Sequence, residues 1–132
     1  MDIVFLDANV LFSAAYRLEA KFLKLWQLPD LQLVSSRYAV GEAQRNLKHA
    51  DQRVRLEALL RSLRLVPEAP NRGLPAGVDL PAKDVPILLA AICANATHLL
   101  STDLKHFGPH YWKVFEGVLI LRPADYFLMR PL

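Results

Sequence analysis

The sequence is short of the features that assign a protein to a special class. It holds one cysteine, Cys93, in 132 residues. No disulfide framework is available, and a lone thiol inside an apolar run suits a reducing compartment. Cys93 is therefore expected to be a small core residue. No apolar run reaches the roughly 20 residues of a membrane span. The first residues carry no basic segment, and Asp2 and Asp7 interrupt their apolar run, so no secretory signal is expected and the cytoplasm is the expected compartment. No internal repeat and no low-complexity tract is found, which sets aside repeat arrays. Neither sign of charge dominates: the net charge is +3 and the pI near 9.2. That balance admits an anionic partner such as nucleic acid without requiring one.

What is present is enough to build a core. At 53% hydrophobic and 22% charged residues the chain is too apolar for disorder. Its length suits one domain, expected to span 1–132. The organising stretch is Asp2-Ile-Val-Phe-Leu-Asp7-Ala-Asn9-Val-Leu11. Ile3 to Leu6 is a continuous apolar run, as expected of a strand buried on both faces of a parallel sheet. It stops at a carboxylate, Asp7, and a helical pattern follows. Open α/β sheets bind ligands at that edge.

Further along, Leu18 to Leu28 has helical spacing, with Phe22, Leu25 and Trp26 apolar, and Pro29-Asp30 ends it. Leu31 to Val34 reads as a strand. Ser35-Ser36 offers a cap for a helix over Tyr38 to Lys48, which carries Glu42. Gly41 weakens that helix by about 1 kcal/mol relative to Ala, for which close backbone packing is one reason. Asp51 is expected to cap another helix to about Leu63, and Leu63 to Val66 to form a third strand. Pro67 to Lys83 reads as a long surface loop. Asp84 is expected to be the N-cap of the next helix, with Pro86 tolerated in its first turn. His98 to Ser101 is a strand that ends, like the first, at polar residues, Ser101-Thr102-Asp103. Val118 to Leu121 is the last strand, and Pro123 to Met129 a short closing helix. Strands alternating with helices predict an α/β fold, a three-layer α/β/α sandwich around a central parallel sheet of about five strands.

Asp7 and Asp103 each follow an apolar strand, and parallel strands end at the same edge. Glu42 and Asp84 lie on helices that could reach it. Four carboxylates in one pocket repel, and a hard divalent cation relieves that repulsion. Mg²⁺ or Mn²⁺ prefers oxygen ligands and keeps several waters, so such a site suits phosphodiester hydrolysis. Taken singly, each acid has an equally good plain alternative: Asp7 and Asp84 as caps, Asp103 as a turn residue, Glu42 as a solvated helix residue.

Asp7-Ala-Asn9-Val-Leu11, Glu42-Ala-Gln-Arg-Asn-Leu47, Lys83-Asp84 before Ile-Leu-Leu-Ala-Ala, and Leu100-Ser-Thr-Asp103-Leu-Lys-His-Phe107 together resemble PIN-domain ribonucleases. The likeness is greatest to the PIN-family toxins of toxin–antitoxin pairs, and it covers nearly the whole chain. The resemblance implies a PIN-like fold, metal-dependent cleavage of RNA, an antitoxin partner and homodimerisation. By motif, Asp7, Glu42, Asp84 and Asp103 match the family's acidic Mg²⁺ or Mn²⁺ site. Asn9, Ser101 and Thr102 match supporting polar positions. The chain departs from the family pattern at Lys105, near which many relatives carry a further acid, and at Pro86.

Lys83, Lys105 and Arg45 are candidate phosphate contacts, each with an exposed surface residue as its plain alternative. The basic run from Arg45 to Arg64 reads as a solvated helix face that would hold RNA phosphates if it bordered the acidic cleft. His49, His98, His106 and His110 form no close pair on a helical face and are not expected to be ligands. Asp79 is a weaker competitor to Asp84. Two other functions are open: a catalytically inactive PIN-fold binding module, and a phosphoacceptor signalling domain. The second would want an Asp after the third strand, where Leu65-Val66-Pro67 stands, and a Lys after the last, where Leu121-Arg122-Pro123 stands.

Overall fold

A computed structural model describes residues 1–130; Pro131 and Leu132, the end of the expected span, lie outside the described residues. The chain alternates strands and helices: β1 (Asp2–Leu6), α1 (Ala8–Tyr16), β2 (Leu31–Ser36), α2 (Arg37–Asn46), α3 (Ala50–Leu60), β3 (Arg64–Val66), α4 (Val85–Cys93), β4 (His98–Leu100), β5 (Val114–Phe115), β6 (Val118–Leu121) and α5 (Pro123–Met129). The sheet has six strands in the order β3-β2-β1-β4-β6-β5. All pairs are parallel except β5 with β6.

Strand alternation sorts the core into two layers. Val4, Leu6, Leu33, Leu100 and Leu121 meet Val10 and Leu11 of α1, Leu56 of α3 and Tyr126 of α5 on one face. Phe5, Val34, Leu99 and Ile120 meet Ile87, Leu88 and Ala91 of α4 on the other. Because both faces are covered, the central strands read as unbroken apolar runs. Helix α2 reaches both layers, with Val40 and Ala43 in one and Ala39 in the other. That position carries its polar side toward the sheet's carboxyl edge. Ser36 starts α2 by accepting the Ala39 N–H at 3.2 Å.

Several expectations need correction. The sixth strand, β5, joins β6 through Glu116-Gly117, whose φ values of 48° and 87° make a tight two-residue hairpin turn. A two-residue strand offers too short a pattern to read in advance. The segment expected to be a helix over Leu18 to Leu28 is a 3-10 helix over Lys21–Gln27, with no side-chain cap at its start. Trp26 anchors it by donating to the Leu59 carbonyl at 3.1 Å. Asp51 does not cap α3. His49 is the cap residue and its N–H donates to Gln52 Oε1, while Asp51 pairs with Arg55 in the first turn. Cys93 is exposed, at the outward end of α4, rather than a core residue. A Cβ on Gly41 would meet only the tip of the Arg45 side chain, so close backbone packing is not the reason for that glycine.

Candidate functional site

The chain moves outward from β1 through β2 to β3, then returns to the other side of β1 to place β4. A crevice opens outside the carboxyl ends of strands where such a reversal occurs. Leu6 registers with Leu100. Asp7 and Ser101 therefore leave the sheet side by side, with the Asp7 N–H donating to the Leu100 carbonyl at 3.0 Å.

Asp7 caps α1: one carboxylate oxygen accepts the Ala8 N–H at 2.7 Å. The other accepts from Ser101 Oγ at 2.8 Å and from Asn9 Nδ2 at 3.2 Å. The Ser101 hydroxyl oxygen in turn accepts from Asn9 Nδ2 at 3.2 Å and from the Asp103 N–H at 3.1 Å. Asn9 Oδ1 accepts the Thr102 N–H at 3.0 Å. Thr102 thus contributes through its backbone, and its side chain is exposed. Tyr111 donates its hydroxyl to the Ser101 carbonyl at 2.8 Å. A chain of side-chain bonds holds the ends of β1 and β4 in one arrangement.

Asp7, Glu42, Asp84 and Asp103 line one open cleft of about 460 Å³, together with Ala8, Asn9, Phe12, Asn46 and Lys83. Burial pushes the Asp7 carboxyl up to about 6, with the Asp84 and Glu42 charges adding, against the Ser101 and Ala8 hydrogen bonds. Burial also raises Asp84, as do Asp103 and Glu42, while His106 and Lys83 lower it. Burial is the main cause of both shifts, and the crowded like charges add to it.

Asp84 occupies the N-cap position of α4 but its side chain caps nothing. Pro86, in the first turn, has no N–H to satisfy, so the carboxylate stays aimed into the cleft. His106, which lines a neighbouring cavity, brings its Nδ1 to 2.9 Å from Asp84 Oδ2 and 2.9 Å from Asp103 Oδ2. Neither contact has the direction of a hydrogen bond, and Asp84 Oδ2 and His106 Nδ1 are both buried without a hydrogen-bond partner. One atom from each of Asp84, Asp103 and His106 falls within 4.8 Å of the others. An orphaned carboxylate oxygen in a carboxylate-rich cleft fits a divalent cation.

The remaining candidates are scattered. Lys83 lines the cleft, and its carbonyl accepts the Tyr38 hydroxyl at 2.7 Å. Lys105 faces a neighbouring cavity with Asp79 and His110. Arg45 is exposed and does not line the cleft. Two arginines of the basic run are tied to main chain instead: Arg53 donates to the Leu47 carbonyl and Arg55 to the Ala15 and Tyr16 carbonyls. The residues not anticipated are His106, Phe12 and Asn46. Asn46 stands four residues after Glu42, on the same helical face. His106 stands three after Asp103, in a turn where its N–H donates to Asp103 Oδ1 at 3.0 Å.

No family model and no curated protein matches the chain. Among solved structures it is similar to a chain of VapBC2 from Rickettsia felis, in a crystal structure bound to a DNA fragment from their promoter, with a TM-score of 0.63 and 16% identity. The match covers 91% of this chain and 98% of that one. At such low identity the likeness establishes a shared fold, in agreement with the PIN-like architecture implied by the sequence motifs.

Proposed function

We propose that this chain is a metal-dependent endoribonuclease that hydrolyses RNA phosphodiester bonds, and that it is the toxin of a type II toxin–antitoxin pair. The observation that carries the reading is the meeting of Asp7, Glu42, Asp84 and Asp103 in one cleft, with a buried Asp84 oxygen left without a partner. On this reading those four acids hold Mg²⁺ or Mn²⁺. Such an ion, when bound, neutralises the rim and polarises a scissile phosphate. The chain's own groups do the rest. Asn9 and Ser101 fix the Asp7 carboxylate, and Ser101 also fixes the Asp103 backbone. Lys83 contributes positive charge for a phosphate oxygen. Water attacks phosphorus, one rim carboxylate accepts its proton, and the bond to a ribose oxygen breaks, that oxygen leaving as a hydroxyl with a proton taken from solvent.

The structure of VapBC2 with promoter DNA supports an antitoxin partner for this chain. Exposed Leu128 and Met129 on α5 support a second copy of the chain as a further partner. Among the described residues no helix is long and apolar enough to cross a membrane, and a cytoplasmic location belongs to the same proposal.

The test is single-turnover cleavage of end-labelled RNA with Mg²⁺ or Mn²⁺. Asp103→Asn is expected to lower the rate by roughly a hundredfold or more, because a ligand's charge is lost from the site. Unchanged cleavage by the purified, folded variant would overturn the site. A wild type that neither binds Mn²⁺ nor cleaves RNA would favour the inactive binding module instead.

A further inference from the structure

We propose that His106 is a nitrogen ligand, through Nδ1, of the divalent ion held by Asp84 and Asp103, and that it biases the site toward Mn²⁺ over Mg²⁺. The inference rests on reading the carboxylate cleft as a metal site, but it does not require that the site cleave RNA.

Three observations converge. First, the spacing fits ligands that share one ion. Adjacent ligands about 2.1 Å from an octahedral ion lie about 3.0 Å apart. His106 Nδ1 stands 2.9 Å from an oxygen of each aspartate. Second, a protonated His106 donating to either carboxylate would satisfy Nδ1, yet neither oxygen lies in the direction of a hydrogen bond, and Nδ1 is buried without a partner. Third, the Asp84 side chain is only 10% exposed and its Oδ2 is also unpartnered, aimed at the same point. The turn after β4 makes the convergence possible. The His106 N–H occupies Asp103 Oδ1, which leaves Oδ2 facing the ring.

The chemistry then separates the two candidate ions. Imidazole binds Mn²⁺ more strongly than Mg²⁺, which keeps to oxygen ligands and water. The nitrogen joins the oxygens of Asp84 and Asp103, while Asp7, fixed by Ser101 and Asn9, and Glu42 add carboxylate oxygen from the same cleft.

The test uses the full chain, stripped with EDTA and titrated with Mn²⁺ under electron paramagnetic resonance, with Mg²⁺ as competitor. Pulsed spectra of the bound Mn²⁺ are expected to show a directly coordinated nitrogen, which ¹⁵N-histidine labelling changes and His106→Gln removes. His106→Gln should also weaken Mn²⁺ binding by about tenfold or more while changing Mg²⁺ binding much less. Bound Mn²⁺ without nitrogen coupling in the wild type would overturn the His106 assignment and leave the carboxylate site standing. If the wild type binds no Mn²⁺ at all, the metal reading fails and His106 fails with it. The wild-type spectra alone decide the matter if the variant does not fold.

Discussion

Asp7 combines two roles that pull its charge in opposite directions. As a cap and a hydrogen-bond acceptor it is stabilised in the ionised form, but burial and its acidic neighbours raise its carboxyl to about 6 from an ordinary 3.8. A raised folded value means that the folded chain holds this proton more tightly than the unfolded chain does. Below 3.8 both states are protonated and the group contributes nothing. As pH rises from there to about 6 the folded state loses stability, and above about 6 the loss is complete, on the order of 3 kcal/mol. In EDTA, the wild type should therefore lose stability relative to Asp7→Asn between pH 4 and pH 6 and hold a constant difference above that. Urea melts across this range measure it, and a difference that does not change with pH would contradict the burial argument. A bound cation offsets the same repulsion, which links the cost at this residue to the proposed function.

At the scale of elements, short polar signals place long apolar segments. Helix α2 brings Glu42 to the cleft and owes its start to Ser36, 1% exposed and bonded to the Ala39 N–H. Ser36→Ala should cost about 1–2 kcal/mol, visible as a lower urea midpoint with an unchanged slope. No change in midpoint would mean that tertiary packing alone sets the start of α2. Helix α4 shows the converse. Ile87 to Ala91 are all buried, so its position comes from packing, and the Asp84 side chain at its head is released from capping to face the cleft. The 3-10 segment at Lys21–Gln27 lies between these cases: its apolar spacing was legible, but its hydrogen-bond pattern was set without any cap to favour an α-helix.

For the molecule as a whole, stability and the proposed site are linked by mass action. An ion at about 100 times its dissociation constant stabilises the folded chain by about 2.7 kcal/mol. Mn²⁺ should raise the melting temperature of the wild type, and Asp84→Asn should abolish most of the increase. Equal increases in the two proteins would place the ion elsewhere. The fold that creates this link was largely readable in advance. The apolar runs of β1, β4 and β6 and the helical spacing between them gave the parallel sheet, and Asp7 and Asp103 marked the ends of two of its strands. Position in the chain could not show that β1 and β4 are neighbours, and that adjacency is what turns two strand ends into one cleft.

The sequence by itself determined most of the strands and helices, β5 and the 3-10 segment excepted, and that Asp7 and Asp103 follow two of the strands, because periodicity and caps act within a few residues. Tertiary structure alone decided that His106, set aside in the sequence, meets Asp84 across 22 positions of chain, that Lys105 and Arg45 do not line the cleft, and that Cys93 is exposed. Those outcomes depend on how β4 and its following turn dock against the head of α4. Such docking is fixed by packing between residues distant in sequence, for which no short window carries a signal.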